Sequence, residues 1–239
     1  MSSIARPPSP PLSRLWLAAV LGLAALFASN ARANDDARFV SRIETCEAIL
    51  REFQDDPQVA LPAAVLKQAR ALVIVNQIQG GLILGAQFGY GTMLVRHSDG
   101  TWSIPVLVRV GGAGFGLQLG GQRAETIYVF TEEKAPRIVF TKRFNVDIDA
   151  RAVNGPRTYE PEKLTAEVLA FPVLVYGRGQ GYYAGSSTSV AAGWIDRHDS
   201  VNQAYYKTEY GMPELLYGNY ISPPAAVRPL MEFVTQITR

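Results

Sequence analysis

Few side chains in this sequence have the types and spacing of a catalytic centre. There are two histidines, His97 beside a turn and His198 within Asp196-Arg197-His198-Asp199. That second cluster has the residue types to touch a metal. With no further His or Cys to complete a ligand set, its expected form is a solvated turn. Asp147 and Asp149 point the same way from one strand and mimic the acid pair of a glycoside hydrolase. Their plainer reading is two exposed carboxylates flanking Ile148. Ser186, Ser187 and Ser189 lack the Gly-x-Ser-x-Gly elbow that would expose a nucleophile, and read as ordinary hydroxyls. Gly112-Ala113-Gly114 and Gly114-Phe115-Gly116 each meet a leucine where the third glycine of a dinucleotide loop belongs. No phosphate-loop Gly-Lys-Ser/Thr ending exists. The pattern argues against an enzyme, and no cofactor or metal is expected.

The elements that would carry any site are legible as periodicities. Phe39, Ile43, Cys46, Leu50 and Phe53 recur at spacings of four and three, an amphipathic helix with Asn34, Asp35 and Asp36 available to cap its start. Its stripe is expected to pack on the domain; Glu44, Glu47 and Glu52 dilute the basic face that a membrane-lying helix would need. Pro62 opens a short second helix through residues 63–70. Strands are expected at residues 72–75, 82–88, 92–97, 102–110, 115–119 and 126–131, with Ser98-Asp99-Gly100 as hairpin chemistry. Residues 132–141 allow one short helix or turn around Pro136, and further strands are expected at 144–151, 173–176 and 181–189. Helical stretches near 202–206 and 226–237 close the chain, the last with Leu230, Phe233, Val234 and Ile237 on one side. The expected fold class is α+β and strand-dominated: a largely antiparallel, strongly curved or barrel-like sheet with N-terminal and C-terminal helices packed on it. Regular βαβ alternation is absent.

Glycine parity supplies the argument for curvature. Gly81, Gly85, Gly89 and Gly91 occupy odd positions of one strand, and Gly112, Gly114, Gly116 and Gly120 occupy even positions of another. Gly177, Gly179, Gly181 and Gly185 make a third row. A nearly bare strand face costs backbone entropy, so something must approach it closely. The architectural account is tight bending or a helix lying flat. The functional one is an apolar groove for an acyl chain, with Gln87 and Gln118 as isolated polar handles.

The first 33 residues read as a cleavable signal peptide: Arg6 and Arg14, an apolar run at 15–27, then Ala31-Arg32-Ala33. At 1.5 Å per residue that run spans roughly 20 Å, short of a bilayer core of about 30 Å. Removing Arg6, Arg14 and Arg32 leaves 20 basic and 21 acidic residues, so the formal net charge of +2 is mostly leader and gives no global field for nucleic acid. Cys46 is the only cysteine; it excludes an intramolecular disulfide, and Ile43-Glu44-Thr45 before it is not a lipidation box. The expected organisation is a leader at 1–33, an amphipathic helix and linker at 34–58, and one domain at 59–239.

From residue 60 to the C-terminus a series of weak motifs falls in a specific order. It runs from Leu66-Lys67-Gln68-Ala69-Arg70-Ala71 through Gly80-Gly81, Gly89-Tyr90-Gly91, Val95-Arg96 and Gly100-Thr101-Trp102-Ser103. It continues through Gly116-Leu117-Gln118-Leu119-Gly120, Tyr176-Gly177-Arg178 and Gly181-Tyr182-Tyr183-Ala184-Gly185. The chain thereby resembles the SYLF domain family. The resemblance implies a non-enzymatic domain that binds phospholipids, phosphoinositides in eukaryotic relatives, which also regulate actin; actin is not carried over to an exported chain. Bacterial relatives are envelope proteins, often lipoproteins; lacking the lipidation cysteine, this chain departs from them and is expected to be periplasmic or secreted and not a lipoprotein, its partner a phospholipid or membrane surface and not nucleic acid. The alternative is an envelope scaffold or protein-binding module without a lipid. A phosphate head group needs cationic donors, for which the candidates are Lys67, Arg70, Arg96, Arg109, Lys142 and Arg143. Apolar contact would come from Trp102, Tyr182, Tyr183 and Trp194, with Trp102 and Trp194 expected chiefly as core or interface anchors.

Overall fold

The computed structural model describes residues 12–57, 59–81, 84–115, 121–141, 143–145, 153–154, 172–180 and 193–239. Side chains are described at 34–57, 59–78, 88–112, 123–141, 143–144, 172–177 and 193–239. The expected strand at 181–189, the acid pair Asp147 and Asp149, the three serines, Tyr182, Tyr183, Lys142 and Gln118 lie outside the described residues.

The chain divides into two compact units, Met1–Arg38 and Phe39–Arg239. Helix α1, Leu12–Asp55, enters the second unit at Phe39. Asn34, Asp35 and Asp36 therefore sit inside a helix rather than capping its start. The physical reason is that the Leu- and Ala-rich stretch at 15–27 has good helix formers and no proline separates it from the amphipathic stretch. The expected stripe is otherwise as read: Phe39, Ile43, Cys46, Leu50 and Phe53 are all buried.

Helix α2, Ala63–Gln68, follows Pro62, whose extended backbone makes it the N-cap rather than the first helical residue. The sheet then forms from β1, Ala71–Gly81; β2, Leu84–Val95; β3, Val106–Phe115; and β4, Gly121–Phe130. A 3-10 turn at Ala135–Arg137 and a one-turn helix α3, Ile138–Thr141, lead to the two-residue strands β5, Phe144–Asn145, and β6, Val153–Asn154. Strands β7, Val173–Gln180, and β8, Trp194–Arg197, complete the sheet. Helices α4, Asp199–Tyr206, α5, Met212–Tyr217, and α6, Arg228–Ile237, close the chain.

The strand order is β5-β8-β3-β2-β1-β4-β7-β6, antiparallel throughout except for β6 beside β7. The barrel expectation is corrected: β5 and β6 end the order on opposite edges and do not pair with each other, so the sheet is open. Six of its antiparallel strands have four or more residues. Nor is it a plain meander. The chain leaves β3 opposite Leu84 of β2 and re-enters as β4 opposite Gly80 of β1, which puts β1 in the middle. That position explains the unbroken run Ala71 to Val75: a central strand covered on both faces has no polar face to alternate with.

The two strands expected at 82–88 and 92–97 are one continuous β2. The apparent break, Gly89-Tyr90-Gly91, is where β1 comes unusually near. A Cβ on Gly91 would lie 2.8 Å from the Ile74 carbonyl oxygen, and one on Gly89 would collide with that of Asn76. Register also places Gly85, Gly89 and Gly91 of β2, Gly112 and Gly114 of β3, and Gly177 and Gly179 of β7 on the one face that carries Val73, Val75 and Gln77 of β1. At Gly89 and Gly91 the architectural account of the bare rows therefore holds.

Strand β8 was missed because its sequence reads as a charged loop. Asp196 and Arg197 end that strand, His198 follows, and Asp199 opens α4, so the cluster expected as a solvated turn is a strand-to-helix junction. Where β8 gives out, the side chain of Asn202 takes over. Its Oδ1 accepts from the Leu107 backbone N–H at 2.8 Å, and its Nδ2 donates to the Leu107 carbonyl at 2.9 Å. At the far end Trp102 Nε1 donates to Thr238 Oγ1 at 3.0 Å, so Trp102 is the core anchor expected of it.

Candidate functional site

The even-numbered residues of β1 share a face with α1. Cys46 Sγ donates to the Ile74 carbonyl at 3.5 Å, and burial pushes its thiol up to about 12, an unreactive group. One step along the face, Asn76 Nδ2 donates to the Tyr90 hydroxyl at 3.3 Å, and the Arg42 guanidinium stands over the Tyr90 ring at 5.0 Å. Beyond Tyr90 the cover ends. The next register pair, Ile78 with Phe88, is 64% and 68% exposed. Two large apolar side chains side by side in solvent are not what a sheet face needs for stability.

Their row can be followed across the sheet. Phe88 pairs with Gly111 of β3, and Gly111 with Trp194 of β8. The missing side chain at Gly111 leaves the space that the Trp194 indole occupies, since a Cβ there would run into the ring. On the other side Ile78 pairs with Arg123 of β4, which is exposed. The row thus reads indole, glycine, phenyl, isoleucine, arginine. At the indole end the Arg143 guanidinium stacks over Trp194 at 4.3 Å and reaches Asp196 Oδ2 at 3.6 Å. Arg109 approaches the same oxygen at 3.4 Å and donates from Nε to the Arg197 carbonyl at 3.0 Å. Among the described residues, two half-exposed guanidiniums share this one carboxylate. His198, beside them, is held below the ordinary imidazole range, first by burial and then by the charges of Arg109 and Arg42, so it adds no further charge.

The structure divides the sequence-derived cations into two groups. Arg109 and Arg143 meet at Asp196, whereas Lys67, Arg70 and Arg96 gather at the other end of β2. Arg96 lies six residues along β2 from Tyr90, the partner of Arg109, or roughly 20 Å at about 3.3 Å per residue. There Arg96 donates to the carbonyls of Lys67 at 3.2 Å and Gly100 at 3.4 Å, fastening α2 to the β2–β3 turn. Lys67 and Arg70 are exposed beside it. By register Gln87 lies opposite Gln79 of β1 and Gly112 of β3, and Gln79 lies opposite Gln122 of β4. Among the described residues no group of three His, Cys, Asp or Glu side chains converges as a metal site. Sequence reasoning missed Ile78, Phe88 and Arg123. Phe88 carried a signal, a bulky residue one position from the bare Gly89, but Ile78 and Arg123 come together only through register.

A family model described as Ysc84, Las17-binding protein actin regulator, matches residues 111–237. Protein YSC84 of Saccharomyces cerevisiae is 28% identical over 196 residues, 78% of this chain and 41% of that protein. SH3 domain-containing YSC84-like protein 1 of Bos taurus is 27% identical over 205 residues, 83% of this chain and 59% of that protein. LAS seventeen-binding protein 3 of Saccharomyces cerevisiae is 28% identical over 202 residues, 80% of this chain and 42% of that protein. The chain therefore spans about half the length of these relatives. No solved structure matches it.

Proposed function

On the premise that this chain belongs to the Ysc84 (SYLF) family of non-catalytic binding modules, we propose that it is a phospholipid-binding protein of the bacterial cell envelope. In this reading it docks on anionic membrane surface through the row Trp194, Phe88, Ile78 and Arg123, with Arg109 and Arg143 at its border. The observation that carries the reading is the exposed Phe88–Ile78 pair set between guanidiniums. Apolar tips enter the acyl boundary while the arginines stay at the phosphates. About two-thirds of each apolar side chain is available to be covered, which is worth about 2–4 kcal/mol for the pair. Each arginine near an anionic surface adds about 1 kcal/mol. The sum describes reversible docking.

The leader at 1–33 belongs to the same proposal: export, cleavage after Ala33, and a periplasmic or secreted protein without a lipid anchor. Among the described residues no helix is long and apolar enough to cross a membrane. The test uses protein recovered from the periplasm of an expressing bacterium, its N-terminus read by mass spectrometry. Co-sedimentation with phosphatidylglycerol-containing and pure phosphatidylcholine vesicles is compared at low and moderate salt. Binding to anionic vesicles that salt weakens and Phe88→Glu lowers is the expected result. Indifference to Phe88→Glu would remove this surface from the account. The second reading, a protein-binding module, draws on the family model's description as Las17-binding, and no binding to any vesicle would favour it.

A further inference from the structure

At the end of β2 away from Phe88, the β2–β3 turn, α5, and the segment between α5 and α6 enclose a cleft of about 250 Å³. At about 30 Å³ per water it holds roughly eight waters or one long side chain. Its floor is apolar, made by Trp102, Ile104 and Leu215, all buried, with half-buried Met231. Its rim is polar: Asp99, Glu214 and His97 line it, and no Lys or Arg does.

The polar groups around the cleft divide into those already engaged and those that are not. Asp99 Oδ1 accepts from the Thr101 backbone N–H at 2.9 Å and from its hydroxyl at 2.6 Å. Those bonds hold its carboxyl below the usual carboxylate range, so the rim is charged at neutral pH. Thr101 Oγ1 also lies 3.3 Å from His97 Nδ1, and His97 Nε2 donates to the Leu216 carbonyl at 2.8 Å. Both imidazole nitrogens are thereby occupied. Neither Asp99 nor Glu214 has an ion-pair partner among the described residues. At the mouth Tyr220 is largely exposed and lies against Gly218, where any side chain would strike its ring. It tilts against the exposed Tyr210, ring centroids 5.1 Å apart, so an aromatic shelf continues beyond the cleft.

We propose that this cleft receives one basic side chain, arginine or lysine, presented by a protein partner whose neighbouring residues lie along the Tyr210–Tyr220 shelf. An apolar floor takes the methylene stem, two unpaired carboxylates take the charge, and Tyr220 offers its face to the cation. The volume admits one such side chain and not a whole peptide; the shelf is what favours a protein segment over a free amine.

The test titrates the purified isotope-labelled chain with the capped tripeptides Ac-Ala-Arg-Ala-NH2 and Ac-Ala-Lys-Ala-NH2. The uncharged citrulline peptide and free agmatine are run in parallel, and the amide signals of Thr101, Leu215 and Gly218 are followed. Dissociation constants in the roughly millimolar range are expected for both basic peptides. The citrulline peptide should be at least about tenfold weaker, as should the arginine peptide on Glu214→Gln or Asp99→Asn protein. Tyr210→Ala should weaken the peptide and leave agmatine unchanged, while Phe88→Glu should change nothing. Equal binding of citrulline and arginine peptides, or no perturbation of these three signals, overturns the proposal. Agmatine binding as tightly as the arginine peptide overturns the protein partner. Vesicle binding is read separately, so either proposal can fail without the other.

Discussion

Two stretches of the same sheet face differ sharply. At Leu72–Leu94 and Ile74–Thr92 the face is sealed beneath α1, and only four residues further along, at Ile78–Phe88, it stands open to solvent. The cations differ in the same sense. At the sealed end Arg96 holds two backbone carbonyls of its own chain, and at the open end Arg109 and Arg143 divide one carboxylate between them. Residue type does not say which arginine faces a partner. What separates them is how exposed the guanidinium stands and whether apolar surface lies uncovered beside it.

The contrast is sharpest under one chemical change made at both places. Ile74→Glu would bury an unpaired carboxylate beneath α1, with an expected loss of about 4 kcal/mol or more in urea unfolding. Phe88→Glu should leave unfolding within about 1 kcal/mol of the parent while lowering affinity for anionic vesicles by roughly 10- to 100-fold. If Phe88→Glu unfolds the protein as Ile74→Glu does, the open stretch is core and the comparison fails.

The arginines offer a gentler version. Arg96→Gln should cost about 1–2 kcal/mol of stability, since the Lys67 and Gly100 carbonyls lose a charged donor, with vesicle affinity unchanged. Arg143→Gln should do the reverse, with unfolding within about 0.5 kcal/mol and vesicle affinity down about fivefold, the equivalent of about 1 kcal/mol.

The smallest effect concerns the seal itself. The Cys46 thiol titrates near 9.0 when solvated and is raised to about 12 by burial. Its contribution is therefore complete below pH 9 and is lost as pH rises from there toward 12, because only the unfolded chain releases the proton. By pH 10 the protein should have lost about 1 kcal/mol relative to Cys46→Ala protein, whose stability lacks this slope.

The helix stripe from Phe39 to Phe53, the Ser98-Asp99-Gly100 turn with Gly100 at φ 86°, and the strand-rich α+β class were legible because each rests on local periodicity or turn chemistry. The continuity of β2 was not. Gly89 and Gly91 look like a break, yet they are needed because β1 passes so near, and only the pairing reveals that. Glycine parity argued for closure, but closure depends on which strands end the order, a long-range property. Strand β8 was hidden by its charges: Asp196 is there for Arg109 and Arg143, and its single buried residue is Ile195. Arg109 and Arg143 stand out as cations by residue type alone, whereas Ile78 and Phe88 come beside them only through register.

Asn202 has a consequence for the chain in company. Strand β8 ends opposite Val108, so at Leu107 the ladder has a rung that no strand among the described residues fills. A carboxamide carries the same donor and acceptor as a peptide group, and Asn202 inserts it there as a stopper. Without it that rung is an invitation for a second copy to add a strand and begin a zipper. The stopper rides on α4, so it is in place only while α4 is docked. A chain caught before α4 docks is the species from which self-association would start.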